Sequence, residues 1–310
     1  MTALICGSFA YDSIMIFPDR FKNHILPDKI HMLNVSFMVP QMRREFGGCA
    51  GNIAYNLKLL GGDGLPMGTV GKDFEPYARW MDRNGISRAL IREFPDSYTA
   101  QAYITTDIDD NQITAFHPGA MGLAHENRVP RDRGITLGIV SPDGRDGMLQ
   151  HAEQFFEAGI PFIFDPGQGL PMFNGDDLRN FLRMATYLTV NDYEAQLVQE
   201  RTGLTPHEMA EHVRAVIITR GAQGSRIYTE RREIDIPPVK PAGVMDPTGC
   251  GDAYRAGLIY GLMLGRDLAT AARIASLMGT IKIEHPGTQN HRFTPEEFAT
   301  RYRTVFGAAI

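Results

Sequence analysis

The sequence has little cysteine and no clear basis for a fold held by disulfides or zinc. Only three of the 310 residues are cysteines, at positions 6, 49 and 250. They are too scattered for a disulfide framework, and no C-x-x-C pair indicates a zinc site. A chain of this length can bury a substantial core without cross-links. We therefore expect a protein of the reducing cytoplasm.

The sequence also lacks a dense basic cluster and a long apolar run. It has 31 Lys and Arg residues against 36 Asp and Glu residues, a formal net charge of −5. The most apolar later stretch, Ala256 to Leu264, is far shorter than a membrane span. We therefore expect neither a nucleic-acid partner nor a membrane partner.

Short apolar runs alternate with helical patterns along most of the chain. Continuous apolar runs are typical of strands that are buried on both faces of a parallel sheet. The predicted strands are Ala3–Cys6, Ile135–Val140, Pro161–Phe164, Tyr187–Val190 and Val216–Thr219. The predicted helices are Ile53–Leu60, Asp146–Ala158, Asp176–Ala185, Glu194–Gly203 and Thr205–Ala215. This order predicts an α/β fold with a doubly wound, mostly parallel sheet, in which ligands bind at the carboxyl ends of the strands.

Two stretches, 12–46 and 97–117, interrupt the alternation. The second contains the β-prone run from Tyr98 to Thr106. We expect both stretches to be insertions that form a small β lid within one domain spanning residues 1–310. A free edge of the lid sheet would allow a homodimer to form through the lid.

The strongest chemical signal is the string from Asp246 to Asp252, DPTGCGD, which precedes an apolar helix pattern. Gly249 and Gly251 allow a tight turn, so that the amides from Gly249 through Cys250 to Asp252 point together at the helix start. With the helix dipole, these amides form an anion hole. Asp252 lies beside it as a carboxylate that can accept a hydroxyl proton. The combination is typical of a phosphotransferase.

Two other phosphate-binding motifs do not match the residues of this loop. A dinucleotide fingerprint needs Gly or Ala where Tyr254 stands, and an acid near 271–274, where the chain has Ala, Ala, Arg and Ile. A Walker A loop fails because the nearest string, at 68–73, has the wrong spacing and no hydroxyl after Lys72. A tight strand-to-helix turn, in which Asp252 only favours the helix dipole, stays open.

The Cys250 thiol leads to a separate hypothesis. We expect the position at a helix start to lower the pKa of this thiol, although burial and the nearby Asp252 act in the opposite direction. The alternative is that Cys250 is a buried residue of alanine size with no special reactivity.

A second glycine-rich string, FGGCAGN from Phe46 to Asn52, leads into a predicted helix. Its paired glycines can hinge a lid and bring a backbone amide against a sugar hydroxyl, and Asn52 offers both a donor and an acceptor. A flexible turn with Asn52 near a helix start is the alternative.

Together these strings resemble the signatures of a known family. The string at 47–52 looks like the amino-terminal signature of the ribokinase-type (PfkB) carbohydrate kinases, and the string at 246–252 looks like their carboxy-terminal one. The two strings also occur in the same order along the chain as in that family. Asn191-Asp-Tyr-Glu194 resembles the family's N-x-x-E element, and Thr219-Arg-Gly221 resembles its nucleotide contact at a strand end. Such a resemblance implies a ribokinase-like fold.

Within that family the chain is similar to the bacterial adenosine kinases, through the strings at 36–39, 105–107 and 116–121. The resemblance implies a substrate site with Phe116 against the base and Gln168 at the adenine edge. The complete set implied for the substrate is Ser8, Asp12, Ser36, Gly48, Asn52, Phe116 and Gln168. Two positions beside the base depart from the pattern, since Ala102 and Gly169 stand where an aromatic residue and a second glutamine are expected.

The resemblance also implies ATP, Mg²⁺ and K⁺ as cofactors. The residues implied for the nucleotide are Asn191, Glu194, Thr219, Gly221 and Gly224. Glu194 would hold Mg²⁺ through water. Backbone oxygens near Asp246 and Thr248 would bind the monovalent cation.

The expected function is ATP-dependent phosphorylation of the 5′-hydroxyl of adenosine to give AMP, with Asp252 as general base and residues 249–252 as anion hole. A kinase for another nucleoside, or a sugar kinase of the ribokinase or fructokinase type, stays open on the same scaffold. A nucleoside-binding protein without catalysis is a further alternative. The presence of Asp252 and both loop glycines favours an enzyme.

Overall fold

The larger of two sheets forms the centre of the molecule. In the computed structural model, which describes residues 1–25, 34–109 and 111–310, this sheet has nine strands. From one edge to the other they are β13 (Glu233–Ile236), β12 (Ser225–Tyr228), β11 (Ala215–Thr219), β10 (Tyr187–Asn191), β9 (Phe162–Phe164), β8 (Ile135–Val140), β1 (Thr2–Cys6), β4 (Asp63–Gly71) and β5 (Leu90–Phe94). Strands from β11 to β5 are parallel to their neighbours, and β12 and β13 are added antiparallel at one edge. The predicted mostly parallel sheet is confirmed.

All five predicted strands are present in this sheet, each within one residue of its predicted bounds. The prediction omitted β4, whose apolar residues are interrupted by three glycines and Pro66. It also omitted β12 and the edge strands β5 and β13, whose residues are less completely buried. Burial on both faces produces the continuous apolar runs that sequence patterns detect most readily.

A second sheet of four strands, the lid sheet, is built from two separate stretches of chain. Its strands, in spatial order, are β3 (Gln41–Gly47), β2 (Ala10–Ile16), β6 (Ala100–Thr106) and β7 (Gln112–His117). The central pair β2 and β6 is parallel, and the two outer pairs are antiparallel. The predicted lid of two insertions is thus present. Residues 26–33, within the first predicted stretch, and residue 110 lie outside the described residues.

Helices cover both faces of the larger sheet. They are α1 (Cys49–Leu59), α2 (Glu75–Arg83), α3 (Arg145–Glu157), α4 (Gly175–Met184), α5 (Asp192–Thr202), α6 (Pro206–His212), α7 (Cys250–Met263), α8 (Leu268–Ile283) and α9 (Pro295–Phe306). The helix predicted to end at Ala215 ends at His212, because Ala215 begins strand β11. None of the helices in the described residues combines the length and apolar character that a membrane crossing requires.

Alternate residues of each central strand enter two different cores. In β1, Ala3 and Ile5 pack with α1, α2, α7 and α8, whereas Leu4 and Cys6 pack with α3 to α6. This alternation follows from the two-residue period of a strand. It places the starts of α1 and α7 on the same side of the sheet.

A buried ion pair anchors α7 to the carboxyl end of β9. Arg255 Nε and one terminal nitrogen donate to the two oxygens of Asp165 at 3.0 and 2.9 Å, and both side chains are almost fully buried. The guanidinium also donates to the Thr189 carbonyl oxygen. A bidentate pair of this kind fixes both the position and the rotation of the helix.

We expect Arg255→Met to lower the free energy of unfolding by about 3–5 kcal/mol, because it leaves Asp165 buried without its partner. Urea unfolding followed by circular dichroism would measure the change. Arg179→Met, at an exposed pair with Asp176, is the control and should have little effect. The double variant Asp165→Leu/Arg255→Met should recover part of the loss. A double variant no more stable than Arg255→Met would mean that lost packing, rather than an unpaired charge, is the cause.

Candidate active site

The two glycine-rich strings meet at the starts of α1 and α7. Asn52, in the first turn of α1, donates from Nδ2 to Oδ2 of Asp252, in the first turn of α7, at 2.8 Å. Two strings at opposite ends of the sequence therefore form one site. The helix starts bring two positive dipole ends toward the same carboxylate.

A buried hydrogen-bond network fixes the orientation of Asn52. Gln289 donates from Nε2 to Oδ1 of Asn52 at 3.0 Å and to the Tyr77 hydroxyl at 2.6 Å. Trp80 Nε1 donates to Oε1 of Gln289 at 2.9 Å, and the Tyr77 hydroxyl donates to the Gly47 carbonyl oxygen at 2.9 Å. Because the oxygen of Asn52 is occupied, its amide nitrogen must face Asp252.

Gly249 makes the tight turn that the sequence predicts. It adopts the left-handed conformation, with φ 77°, as the residue before α7. Gly251 lies inside the first helical turn and is exposed, so its missing side chain leaves the helix start open rather than shaping the turn.

The helix start of α7 leaves fewer free amides than the sequence suggests. The Cys250 amide donates to the Pro247 carbonyl oxygen at 3.2 Å. Among the described residues, the amides of Gly249, Gly251 and Asp252 have no protein acceptor. Three of the four predicted amides are therefore available to an anion.

The Asp252 carboxyl group has the electrostatics of a base poised near neutral pH. Burial raises its pKa to about 6, and the hydrogen bond from Asn52 opposes that effect. A carboxylate with such a pKa is mostly ionised at pH 7 and can accept a proton.

Ser8 and Gly48 lie at the start of α1. The Ser8 carbonyl oxygen accepts from the Ala50 amide at 3.0 Å, and its Oγ accepts from the Cys49 amide at 3.2 Å. Gly48 has φ 86°, and a Cβ there would lie 2.5 Å from the Ser8 carbonyl oxygen. Only glycine fits this approach. The Ser8 hydroxyl keeps its own proton to donate.

One face of the lid sheet carries a row of paired residues that includes Asp12 and Phe116, two of the residues predicted to bind substrate. The strand register pairs Glu45 with Asp12, Asp12 with Ala102, and Ala102 with Phe116. Directly paired residues project from the same face of a sheet. Burial, with Glu45 and Asp246 nearby, raises the pKa of Asp12 to about 6. The small Ala102 separates the acid from the Phe116 ring, which is 53% exposed.

The neighbouring Tyr103 projects from the opposite face. Its hydroxyl donates to Oε1 of Gln101 at 2.6 Å. Ala102 is thus not replaced by this aromatic ring, as strand alternation predicts.

Ser36 and Gln168, also predicted to bind substrate, make no hydrogen bond to this row among the described residues. Ser36 is exposed and makes no hydrogen bond to another described residue. Gln168 is exposed in a short 3₁₀ turn, Gly167–Met172, directly after β9. It lies at the ligand-binding edge of the sheet and makes no hydrogen bond to the described lid residues named above.

The residues assigned to the nucleotide lie at the carboxyl ends of β10 and β11. The side chain of Asn191 accepts from the Glu194 amide at 2.7 Å, and the Glu194 carboxylate accepts from the Asn191 amide at 2.8 Å. This reciprocal pair caps α5. The Thr219 hydroxyl contacts the Val190 carbonyl oxygen at 3.4 Å. Adjacent parallel strands thus bring the two groups together.

The two glycines after β11 have different environments. Gly221 is exposed and has open space where a side chain would stand. Gly224 packs against β13, since a Cβ there would lie 2.2 Å from the Ile236 carbonyl oxygen. The close packing against β13 therefore explains why position 224 is glycine, without any contact to a nucleotide.

The surroundings of Glu194 fit a magnesium ion held through water. One carboxylate oxygen caps α5, and the other has no protein donor among the described residues. Burial and the neighbouring Asp165 raise the pKa of Glu194. The described residues contain no group of three or more His, Cys, Asp or Glu side chains placed to hold a metal. A Mg²⁺ ion that takes most of its ligands from phosphate and water suits this arrangement.

The oxygens around Asp246 do not fit the predicted K⁺ ion. The Asp246 carbonyl oxygen already accepts a hydrogen bond of 2.6 Å from the Lys282 ammonium. The Asp246 carboxylate accepts from the amides of Thr248 and Gly287, each at 2.9 Å. Although burial opposes it, these hydrogen bonds hold the pKa of Asp246 below its usual range.

The predicted low pKa of Cys250 is wrong. Burial raises the pKa of this thiol to about 11, despite the positive charge of Lys282 nearby. Sγ lies 3.9 Å from the Asp246 carbonyl oxygen. The alternative of a small, unreactive thiol describes this environment better.

Three residues that shape the site were missed at the sequence level: Arg255, Lys282 and Gln289. The first two carried a usable signal, since each is a charged residue within an apolar helical pattern, at Tyr254-Arg255-Ala256 and Ile281-Lys282-Ile283. A charge in such a position needs a partner. Gln289 lies in a loop and had no comparable signal.

Comparisons with known proteins agree with this geometry. The model of the pfkB family of carbohydrate kinases matches residues 8–295. A nucleoside kinase of Methanocaldococcus jannaschii is 31% identical over 270 residues, which cover 86% of this chain and 89% of that protein. The structure of Burkholderia thailandensis nucleoside kinase in complex with inosine is 54% identical, with a TM-score of 0.91, and the match covers 99% of this chain and 100% of that one. This chain belongs to the pfkB family of carbohydrate kinases.

Proposed function

We propose that this protein transfers the γ-phosphoryl group of ATP to the 5′-hydroxyl of a purine nucleoside. The contact between Asn52 and Asp252 carries this proposal, because it holds a base of pKa about 6 in place beside the free amides of its own helix start. Phosphoryl transfer needs little more from a protein than positioning and the stabilisation of charge. Both requirements are met within the first turn of α7.

In the reaction, Asp252 accepts the proton of the 5′-hydroxyl as the oxygen attacks the γ-phosphorus. The bond from the γ-phosphorus to the β,γ-bridging oxygen breaks, and ADP leaves. The amides of Gly249, Gly251 and Asp252 donate to the phosphoryl oxygens, where negative charge develops. Mg²⁺ bound through water to Glu194 would neutralise phosphate charge.

The lid sheet supports a nucleoside as acceptor rather than a free sugar. Asp12 can accept from ribose hydroxyls, and Phe116 offers an exposed aromatic face on the same side of the sheet. The alanine between them leaves room for a flat ring. A small sugar would not reach both residues at once.

Two purine nucleosides have separate support as acceptors. The sequence similarities to adenosine kinases favour adenosine, whose product is AMP. The similar structure of Burkholderia thailandensis nucleoside kinase is a complex with inosine, which favours inosine. The two bases differ at position 6, where adenosine has an amino donor and inosine a carbonyl acceptor. The side chain amide of Gln168 could pair with either. A coupled ADP-release assay across adenosine, inosine, cytidine, ribose and fructose would decide the acceptor.

Two further sequence predictions stay predictions: a location in the cytoplasm and a homodimer through the lid. Strand β7 is exposed along its whole length at an edge of the lid sheet. Such an edge can pair with a second copy.

We expect Asp252→Asn to lower kcat by roughly 10²–10⁴, the range for loss of a positioned general base. Burial disfavours the ionised carboxylate, so the variant should be at least as stable as the parent protein. Asp176→Asn is the control, a neutralised acid at the start of α4 whose side chain is 92% exposed. Near-normal turnover by folded Asp252→Asn would remove Asp252 as the base.

The rate should also depend on pH. Because the pKa of Asp252 is raised to about 6, the carboxylate becomes protonated and inactive as the pH falls through 6. A plot of log kcat/KM against pH should therefore fall with a slope near one on the acid side. Asp12 has a similar pKa, so Asp12→Asn is the necessary comparison. If Asp12→Asn abolishes the acid limb, the limb belongs to Asp12 and not to the base.

We expect Phe116→Ala to lower kcat/KM for nucleosides roughly 2- to 10-fold, the equivalent of an aromatic contact worth about 0.5–1.5 kcal/mol. Tyr103→Ala, on the opposite face of the same sheet, is the matched control and should change little. Ribose should be a poor substrate for all three proteins. Ribose turnover equal to that of adenosine and inosine, with no effect of Phe116→Ala, would favour a sugar kinase instead.

A further inference from the structure

Lys282 is a buried charge for which the proposed reaction assigns no role. It lies in the last turn of α8, and among the described residues it is the one lysine with no exposed surface. Removing an ammonium group from water costs several kcal/mol unless other groups replace the lost hydration. Its contacts must therefore be specific.

Two backbone carbonyl groups accept hydrogen bonds from the Lys282 ammonium. Nζ donates to the Asp246 carbonyl oxygen at 2.6 Å and to the His285 carbonyl oxygen at 3.1 Å. The second carbonyl follows the end of α8, where the helix dipole favours a positive charge. The charge also lies close enough to the Cys250 thiol to oppose the rise in its pKa. Lys282 thus places a single positive charge directly behind the start of α7.

The same contacts join two loops. The Asp246 carboxylate accepts from the Thr248 amide in its own loop and from the Gly287 amide in the loop after α8. The amides of Met245 and Asp246 also donate to the Ile283 carbonyl oxygen. Residues 245–248 lead directly into Gly249, whose turn presents the free amides. The position of the anion hole therefore depends on this junction.

Carbonyl oxygens arranged around one positive charge are the ligands that a potassium ion takes. Here the Asp246 carbonyl oxygen accepts a hydrogen bond from the Lys282 ammonium, which is part of the protein itself. We infer that Lys282 supplies the fixed positive charge that a bound monovalent cation would otherwise supply, so that the anion hole is formed without K⁺. Lys282 is a positioning residue, since it acts through the loop that carries the amides.

The kinetic test of this inference rests on the proposed phosphoryl transfer, whereas a second test, by thermal unfolding, is independent of the reaction. The kinetic arm compares initial rates at equal ionic strength in potassium chloride and in tetramethylammonium chloride. The wild-type protein should show the same rate in both salts. A wild-type rate that rises several-fold with K⁺ would overturn the inference.

The decisive variant is Lys282→Met, which keeps an unbranched chain of similar length and removes the charge. Its kcat in tetramethylammonium should fall roughly 10-fold, less than the 10²–10³ typical for a direct oxyanion donor. Addition of K⁺ should restore much of the rate, because the vacated carbonyl oxygens can then bind the ion. A merely structural loss would not be rescued by K⁺ in preference to tetramethylammonium. Full activity without K⁺ would also overturn the inference.

Thermal unfolding gives the readout that needs no substrate. K⁺ should raise the Tm of Lys282→Met relative to tetramethylammonium and leave the wild-type Tm unchanged. Lys58→Met, an exposed lysine in the last turn of α1, is the matched control. If Lys282→Met folds in neither salt, the same Tm measurement is made on Lys282→Gln, in which a neutral amide donor replaces the ammonium. Failure of every nucleoside to react would contradict the proposed function. A Tm of Lys282→Met that is the same in K⁺ and in tetramethylammonium would contradict this inference.

Discussion

The hydrogen bond from Asn52 to Asp252 is the contact on which the rest of the site depends. It joins the starts of two helices that lie 200 residues apart in the chain and pack on the same face of the larger sheet. Gln289 occupies the oxygen of Asn52, so the amide nitrogen has one direction in which to point. The carboxylate is thereby held beside the free amides of α7 without being neutralised by a cation. A hydrogen bond to a neutral amide orients a base while leaving it able to accept a proton.

Charges around the site fall into two groups with different physical roles. Arg255 with Asp165, and Lys282 with its carbonyl groups, are buried and hydrogen-bonded, so they fix helices and loops. Asp12 and Asp252 lack a cationic partner of that kind, and burial raises the pKa of each to about 6. Carboxylates left uncompensated in a cleft destabilise the folded state at neutral pH. Such a cost is typical of groups retained for binding or catalysis.

The lid sheet divides its two faces between folding and function. On one face Tyr11 and Phe46 pack against Tyr77 of α2, with ring centroids 5.9 and 4.7 Å from it. On the other face β2, β6 and β7 present Asp12, Ala102 and Phe116. Although β2 and β6 come from separate insertions, their parallel register and the antiparallel register of β6 with β7 align the acid with the aromatic ring. A shift by one residue would turn every one of these side chains to the wrong face.

Local pattern in the sequence determined the alternating strands and helices, the glycine turn at 249 and the pairing of the two signature strings with one family. These features depend on neighbours along the chain, through burial period and backbone conformation, and so can be read from it. Only the tertiary structure decided the orientation of Asn52 by Gln289, the row across the lid, the raised pKa of Cys250 and the placement of Lys282 on Asp246. The physical reason is that the free energy of a buried polar or charged group is set by the atoms around it in space, and here those atoms come from distant parts of the chain.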